Sequence, residues 1–166
     1  MENTEYDIKS MTPSEVSELI VSLGDKKFRA KQIYQWMHQK LVASYDEMTN
    51  VPAVLRQKLA AEYPLTVLEP VRVQISQIDG TRKYLFRLSD GNLIESVLMK
   101  YHHGNSVCIS SQVGCRMGCR FCASTLDGLV RGLRPSEMID QIYQIGKDIG
   151  ERISNVVVMG TGEPLD

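Results

Sequence analysis

The sequence predicts an α/β protein in three parts: a small helical segment, an antiparallel β meander, and the opening of a parallel βαβ unit. Three observations carry this. Apolar residues recur at helical spacing through residues 11–64 and alternate with polar ones through 67–101; from Ser106 they gather into strand, helix and strand. The expected boundaries are 1–65, 66–104 and 105–166.

Thr12-Pro13-Ser14-Glu15 is a capping box with proline at the first helical position. Val16, Leu19, Ile20 and Leu23 follow on one helical face, and Gly24 stops the helix. Ala30, Ile33, Tyr34 and Met37 repeat the spacing in a second helix; a third is predicted from Pro52 to Glu62, with Asn50 near its start and Pro64 beyond its end. The period then changes. Val71, Val73 and Ile75 alternate, as do Tyr84, Phe86 and Leu88, and a third run spans Leu93 to Tyr101. Asp79-Gly80 and Asp90-Gly91 separate the runs as hairpin turns. His102-His103-Gly104-Asn105 reads as a polar break.

Beyond it, Val107-Cys108-Ile109-Ser110 is a short strand, Ser136 to about Gly146 a helix, and Ile153 to Met159 a strand of the buried, β-branched type. One βαβ unit cannot cover both faces of a parallel sheet, so Val156, Val157 and Val158 lack cover. The expectation is a chain truncated partway through an α/β domain.

A hydrophobic fraction of 43% and a charged fraction of 23% are ordinary for a globular protein. No apolar run approaches 18 residues, so no membrane span is expected. The acidic, polar start lacks the basic and apolar regions of a signal peptide, which places the protein in the cytoplasm. Thiols stay reduced there, and clustered cysteines point to metal rather than disulfides. A net charge of −1 excludes a global electrostatic attraction to nucleic acid, so any RNA contact must be local. The second helix region offers one candidate: Lys26, Lys27, Arg29, Lys31 and Lys40 stand against Asp25, with Tyr34, Trp36 and His38 among them. It reads either as an RNA-facing surface or as a solvated helix face with Trp36 packed inward.

All four cysteines fall in one window, Cys108, Cys115, Cys119 and Cys122. Cys115, Cys119 and Cys122 are spaced C-x3-C-x2-C, with Phe121 before the last. Close spacing on a loop after a strand lets three thiolates reach three corners of a [4Fe–4S] cube, which normally takes four cysteines. The fourth iron is then open to the amino and carboxylate groups of a small molecule. The alternative is a structural zinc site using all four cysteines, although only Cys119 and Cys122 form the usual C-x2-C pair. Cys108 reads as a core cysteine or as a thiol facing a barrel interior. Glu95 shares a strand face with Val97, Met99 and Tyr101. Apolar neighbours would raise its pKa toward the range useful for proton transfer; a surface acid on an edge strand is the other reading.

The stretch Val107-Cys-Ile-Ser-Ser-Gln-Val-Gly-Cys115-Arg-Met-Gly-Cys119-Arg-Phe-Cys122, with Gly160-Thr-Gly-Glu-Pro-Leu165, resembles one radical S-adenosylmethionine family. This is the family of dual-specificity RNA methyltransferases that methylate carbon 2 of an adenine in 23S ribosomal RNA and in tRNA. The resemblance extends in order over nearly the whole chain. It implies a partial (β/α)6 barrel, here truncated, preceded by a helical RNA-binding accessory domain. It further implies that Cys115, Cys119 and Cys122 ligate the cluster and that Gly162 and Glu163 bind S-adenosylmethionine. Glu95 matches the family's proton acceptor, and Cys108 its cysteine that forms a transient disulfide. An external electron donor such as flavodoxin and a monomeric state are also implied.

In that family a methyl is first moved to a protein cysteine, and a 5′-deoxyadenosyl radical then takes a hydrogen from it. The carbon radical adds to adenine, a base removes the ring proton, and a thiolate frees the product. No cysteine follows Cys122. These 166 residues are therefore expected not to complete the reaction alone. The alternatives are a carbon-8 adenine methyltransferase and a non-catalytic iron–sulfur or zinc RNA-binding module.

Overall fold

Thr12 opens the first helix, α1 (Pro13–Ser22), through a reciprocal capping box: the Glu15 N–H donates to the Thr12 hydroxyl and the Thr12 N–H to the Glu15 carboxylate. The computed structural model describes residues 7–166. It divides into two units, one ending at Val67 and one running from Leu68 to Asp166. In the first, α1 is followed by α2 (Phe28–His38) and α3 (Ala53–Glu62). Val16 and Ile20 of α1 bury against Ala30, Ile33 and Met37 of α2, on the faces that the periodicity predicts, and against Leu55 and Leu59 of α3.

The second unit is built on a five-stranded sheet of order β1-β2-β3-β4-β7. Its strands are β1 (Glu69–Ile75), β2 (Arg82–Arg87), β3 (Leu93–Tyr101), β4 (Gly104–Cys108) and β7 (Ile153–Val157). The first four run antiparallel, and β7 lies parallel to β4. The residues read as a polar break instead form a tight hairpin: Tyr101 pairs with Gly104, leaving His102 and His103 as the loop. The meander and the parallel pair therefore share one sheet. A separate ribbon, β5 (Gln112–Gly114) with β6 (Leu129–Gly132), brackets the cysteine loop.

Helix α4 (Pro135–Ile149) returns the chain from β6 to β7 and ends three residues beyond the expected Gly146, stopping at left-handed Gly150. It covers one face of the sheet, where Tyr84, Phe86, Ile94, Leu98, Val107 and Ile109 meet Ile145. Strand β7 lies at the sheet's edge rather than in a buried interior, with Val156 44% and Val157 38% exposed. Among the described residues no helix is long and apolar enough to cross a membrane.

Candidate functional site

Strands β4 and β7 are parallel neighbours, so their carboxyl ends open at the same edge of the sheet, where α/β folds bind ligands. The chain leaving β4 enters the cysteine segment, and the chain leaving β7 enters the Gly160–Glu163 turn. Backbone hydrogen bonds tie the two together. The Gly160 N–H donates to the Ile109 carbonyl at 2.9 Å, and the N–H groups of Ser111 and Gln112 both donate to the Thr161 carbonyl at 3.0 and 3.1 Å. Gly162 has φ +109°, and a Cβ there would come within 2.6 Å of Gln112 Cβ and 2.8 Å of its backbone nitrogen. Only glycine accepts both the backbone angle and the approach.

Side chains reinforce this junction. Gln112 is buried; its Oε1 accepts the Glu163 N–H at 2.9 Å and its Nε2 donates to Asp166 Oδ2 at 3.3 Å. Arg116 donates through Nε and Nη2 to Asp166 Oδ1 at 2.9 and 2.6 Å. Those bonds from Arg116, with the Gln112 amide, hold the Asp166 carboxyl below the usual carboxylate range. Ser110 and Gln141, neither exposed at all, complete the junction from the strand and from α4. Sequence reasoning singled out none of Ser110, Gln112, Gln141 or Arg116 as functional, because polar residues in a loop or helix carry no signal of their partners.

The cysteine loop is held differently. Cys115 is buried at its start, its N–H donating to the Gly128 carbonyl at 3.0 Å, while Cys122 is half-buried and Cys119 exposed. Gly114 approaches Gly128 so closely that a Cβ on it would collide with that carbonyl. Between these points the loop is made of short turns: the Cys122 N–H meets the Cys119 carbonyl at 3.0 Å, and Thr125 Oγ1 donates to the Cys122 carbonyl at 3.0 Å. Phe121 is 95% and Leu126 80% exposed.

The returning strand β6 is anchored by Arg131. It donates to both oxygens of the fully buried Glu137 carboxylate at 2.8 and 2.9 Å, and to Asp90 at 2.7 Å. Burial opposes ionisation of Glu137, but the bonds from Arg131 and Arg134 outweigh it and lower its pKa. The same contest leaves Asp90 lowered to about 2: burial raises it, and the bonds from Arg131 and the Asn92 N–H bring it down.

All four cysteines are free thiols. Among the described residues, no three His, Cys, Asp or Glu side chains converge closely enough to hold a metal ion. The donor set nonetheless fits a cube with one open corner. It supplies three soft thiols on one loop, pinned at both ends by the β5–β6 ribbon.

Glu95 and Cys108 come together. Val97 pairs with Cys108, so Glu95, two residues along β3, is the diagonal neighbour of Cys108 on the sheet face opposite α4, at about 7 Å. Cys108 is half-buried there, with Val97 and Val157 beside it. Of the two settings open to Glu95, the structure shows the exposed one, although β3 is an inner strand of the sheet and not an edge. Lys83 reaches across from β2 to ion-pair with its carboxylate at 2.7 Å, and about half of each side chain is exposed.

In the helical unit Trp36 packs against the core and is half-buried. Its Nε1 donates to Asn50 at 2.6 Å, and Lys40 lies over its ring at 3.4 Å. Arg29 stacks similarly on Phe28 at 4.7 Å. A groove of about 630 Å³ between α1 and α2 is lined by Lys27, Lys31, Tyr34 and Gln35, with Ser14 and Ser17 opposite.

Comparison with known proteins agrees in both units. Residues 6–64 match the family model of the ribosomal RNA large subunit methyltransferase N-terminal domain. Over 160 residues, 96% of this chain and 46% of the relative, the sequence is 70% identical to a Lachnospira eligens protein named "Probable dual-specificity RNA methyltransferase RlmN". A protein of the same name from Lachnoclostridium phytofermentans is 62% identical over 96% of this chain and 45% of its own length. The chain thus spans about half the length of the curated relatives it matches. The crystal structure of a radical SAM methyltransferase from Sphaerobacter thermophilus superposes with a TM-score of 0.88 at 41% identity, covering 96% of this chain and 48% of that one.

Proposed function

We propose that the protein, which over the residues it spans is similar to the dual-specificity RNA methyltransferases RlmN, methylates carbon 2 of an adenine in 23S ribosomal RNA and in tRNA. The observation that carries this reading is the junction at the carboxyl ends of β4 and β7. It brings a three-thiol loop and a glycine turn to one place.

Cys115, Cys119 and Cys122 would hold a [4Fe–4S] cluster, and Gly162 and Glu163 would receive S-adenosylmethionine. The cluster, when bound, supplies the electron that splits the cofactor's sulfonium. The chain's own residues supply the rest. The bare Cα of Gly162 lets the turn lie against residues 111–112, which fixes where its amide and the Glu163 side chain can meet a ligand. Glu95, on the uncovered sheet face, accepts the ring proton of the adenine, its carboxylate steered by Lys83. Cys108, diagonal to it, offers a thiolate on the same face. It would attack the sulfur of a methyl-carrying cysteine of the whole protein, the S–S bond forming as that sulfur's bond to the product carbon breaks and the carbon takes up a proton.

The helical unit serves as an accessory domain whose cation-capped aromatics, Phe28 with Arg29 and Trp36 with Lys40, meet RNA phosphates and bases. The protein works in the cytoplasm as a monomer and draws electrons from a flavodoxin-type donor.

The test uses the full-length protein, reconstituted with iron and sulfide without oxygen and reduced with dithionite. The expected products are 5′-deoxyadenosine and, with a 23S fragment or tRNA, 2-methyladenine. Stoichiometric zinc without 5′-deoxyadenosine would support an RNA-binding module instead, and 8-methyladenine would move the specificity to the other ring carbon.

A further inference from the structure

Ser110 lies between β4 and the cysteine segment, and every polar atom it has is engaged. Its backbone N–H donates to Gln141 Oε1 at 2.9 Å, and its carbonyl accepts from Gln141 Nε2 at 3.0 Å. Gln141 is in turn fixed by the Ser96 hydroxyl at 2.7 Å and by the Glu137 carbonyl at 3.2 Å. The Ser110 hydroxyl remains, and it reaches two further elements: the Glu95 carbonyl at 2.7 Å and the Thr161 N–H at 2.9 Å. An amide N–H can only donate and a carbonyl only accept, so the hydroxyl proton must go to Glu95 and the lone pair to Thr161. One oxygen atom thus joins the backbone of Glu95 to the residue preceding Gly162.

We propose that Ser110 is a positioning residue whose hydroxyl sets the Glu95 backbone and the glycine turn at a fixed distance from each other. The inference rests on the reading of that turn as the S-adenosylmethionine site. Gln112 also binds the turn, through the Glu163 N–H, but its bonds run to residues 163 and 166 and leave β3 out. Ser110 spans both sides. Replacing it by alanine takes the one shared partner from a carbonyl and an N–H that are both part-buried, so both segments loosen together while the cysteine loop keeps its three ligands.

The experiment compares full-length parent and Ser110→Ala protein, each iron-loaded without oxygen, by titrating S-adenosylmethionine against the low-temperature spin signal of the reduced cluster. The variant should need about tenfold more cofactor for half of the spectral change, with iron content and the cofactor-free spectrum as in the parent. Deuterium exchange on the metal-free proteins should quicken at both 93–97 and 160–163 and stay unchanged in 13–62. Unchanged half-saturation overturns the proposal, as does quickened exchange at only one of the two segments. If Ser110→Ala does not fold, Gln141→Met, which releases the clamp and keeps the hydroxyl, is read by the same two criteria with smaller shifts in the same direction. Should the parent's signal ignore the cofactor, the functional reading fails, while the exchange arm still decides whether Ser110 couples the two segments.

Discussion

The glycine turn and the cysteine loop meet at one edge of the sheet, yet they are built by opposite means. The turn is held residue by residue: the 160 and 161 N–H groups, the 161 carbonyl and the 163 N–H all have partners on residues 109–112. The loop is held at its ends, by the β5–β6 ribbon and the Arg131–Glu137 pair, and its middle exposes Cys119 and Phe121. A site for a small cofactor gains affinity from preorganisation, whereas a site for a covalently ligated cluster can be shaped by the ligand itself. On the proposed reading of the two sites, the chain puts its hydrogen bonds where no strong ligand bond would substitute for them.

Cys119→Ala should produce the largest break. In the full-length protein we expect loss of iron and of 5′-deoxyadenosine formation, measured by iron assay and chromatography, while exchange in 160–163 stays as in the parent. A turn that loosens along with the loop would mean that the two are one unit. Gly162→Ala should do the converse. A Cβ at φ +109° and 2.6 Å from Gln112 costs roughly 1–3 kcal/mol, and calorimetric affinity for S-adenosylmethionine should fall about tenfold or more with iron retained.

Glu137→Gln removes the anchor of the loop's return strand and should cost about 2 kcal/mol by denaturant melting. That is less than a fully buried pair would lose, because Arg131 is partly exposed and keeps Asp90. The same anchor sets a pH dependence. Folded Glu137 and Asp90 have depressed pKa values, that of Asp90 about 2, so their contribution is fully present above about pH 5 and is lost as pH falls toward 2. Thermal melts across that window should show a steeper acid loss in the parent than in Glu137→Gln. Arg116→Ala should do least. Its pair with Asp166 is largely exposed on the arginine side, and a change of roughly 0–1 kcal/mol leaves cofactor affinity within about fivefold.

What the sequence made legible was local. The Thr12–Glu15 capping box, the helical faces of α1 and α2, the extent of α3 and the three meander strands follow from short-range chemistry, and the structure has them in place. What it hid depended on distant partners. Glu137, Asp140 and Gln141 are polar residues at helical spacing that carry no sign of burial in the sequence, yet all three are buried because Arg131, the Leu68 N–H and Ser110 come to meet them. Strands β5 and β6 are too short to show a period. Lys83 reaches Glu95 only through the register of β2 against β3, which one strand's pattern cannot supply. The cysteine spacing and the glycine turn were visible; the polar junction that unites them was not.

The claim beneath all of this is that one iron of the cube has no protein ligand and faces the glycine turn. Mössbauer spectra of ⁵⁷Fe-reconstituted full-length protein, recorded with and without S-adenosylmethionine, test it most directly. A single iron site should change its isomer shift on cofactor addition while the others stay as they were. Iron sites that all ignore the cofactor would contradict it.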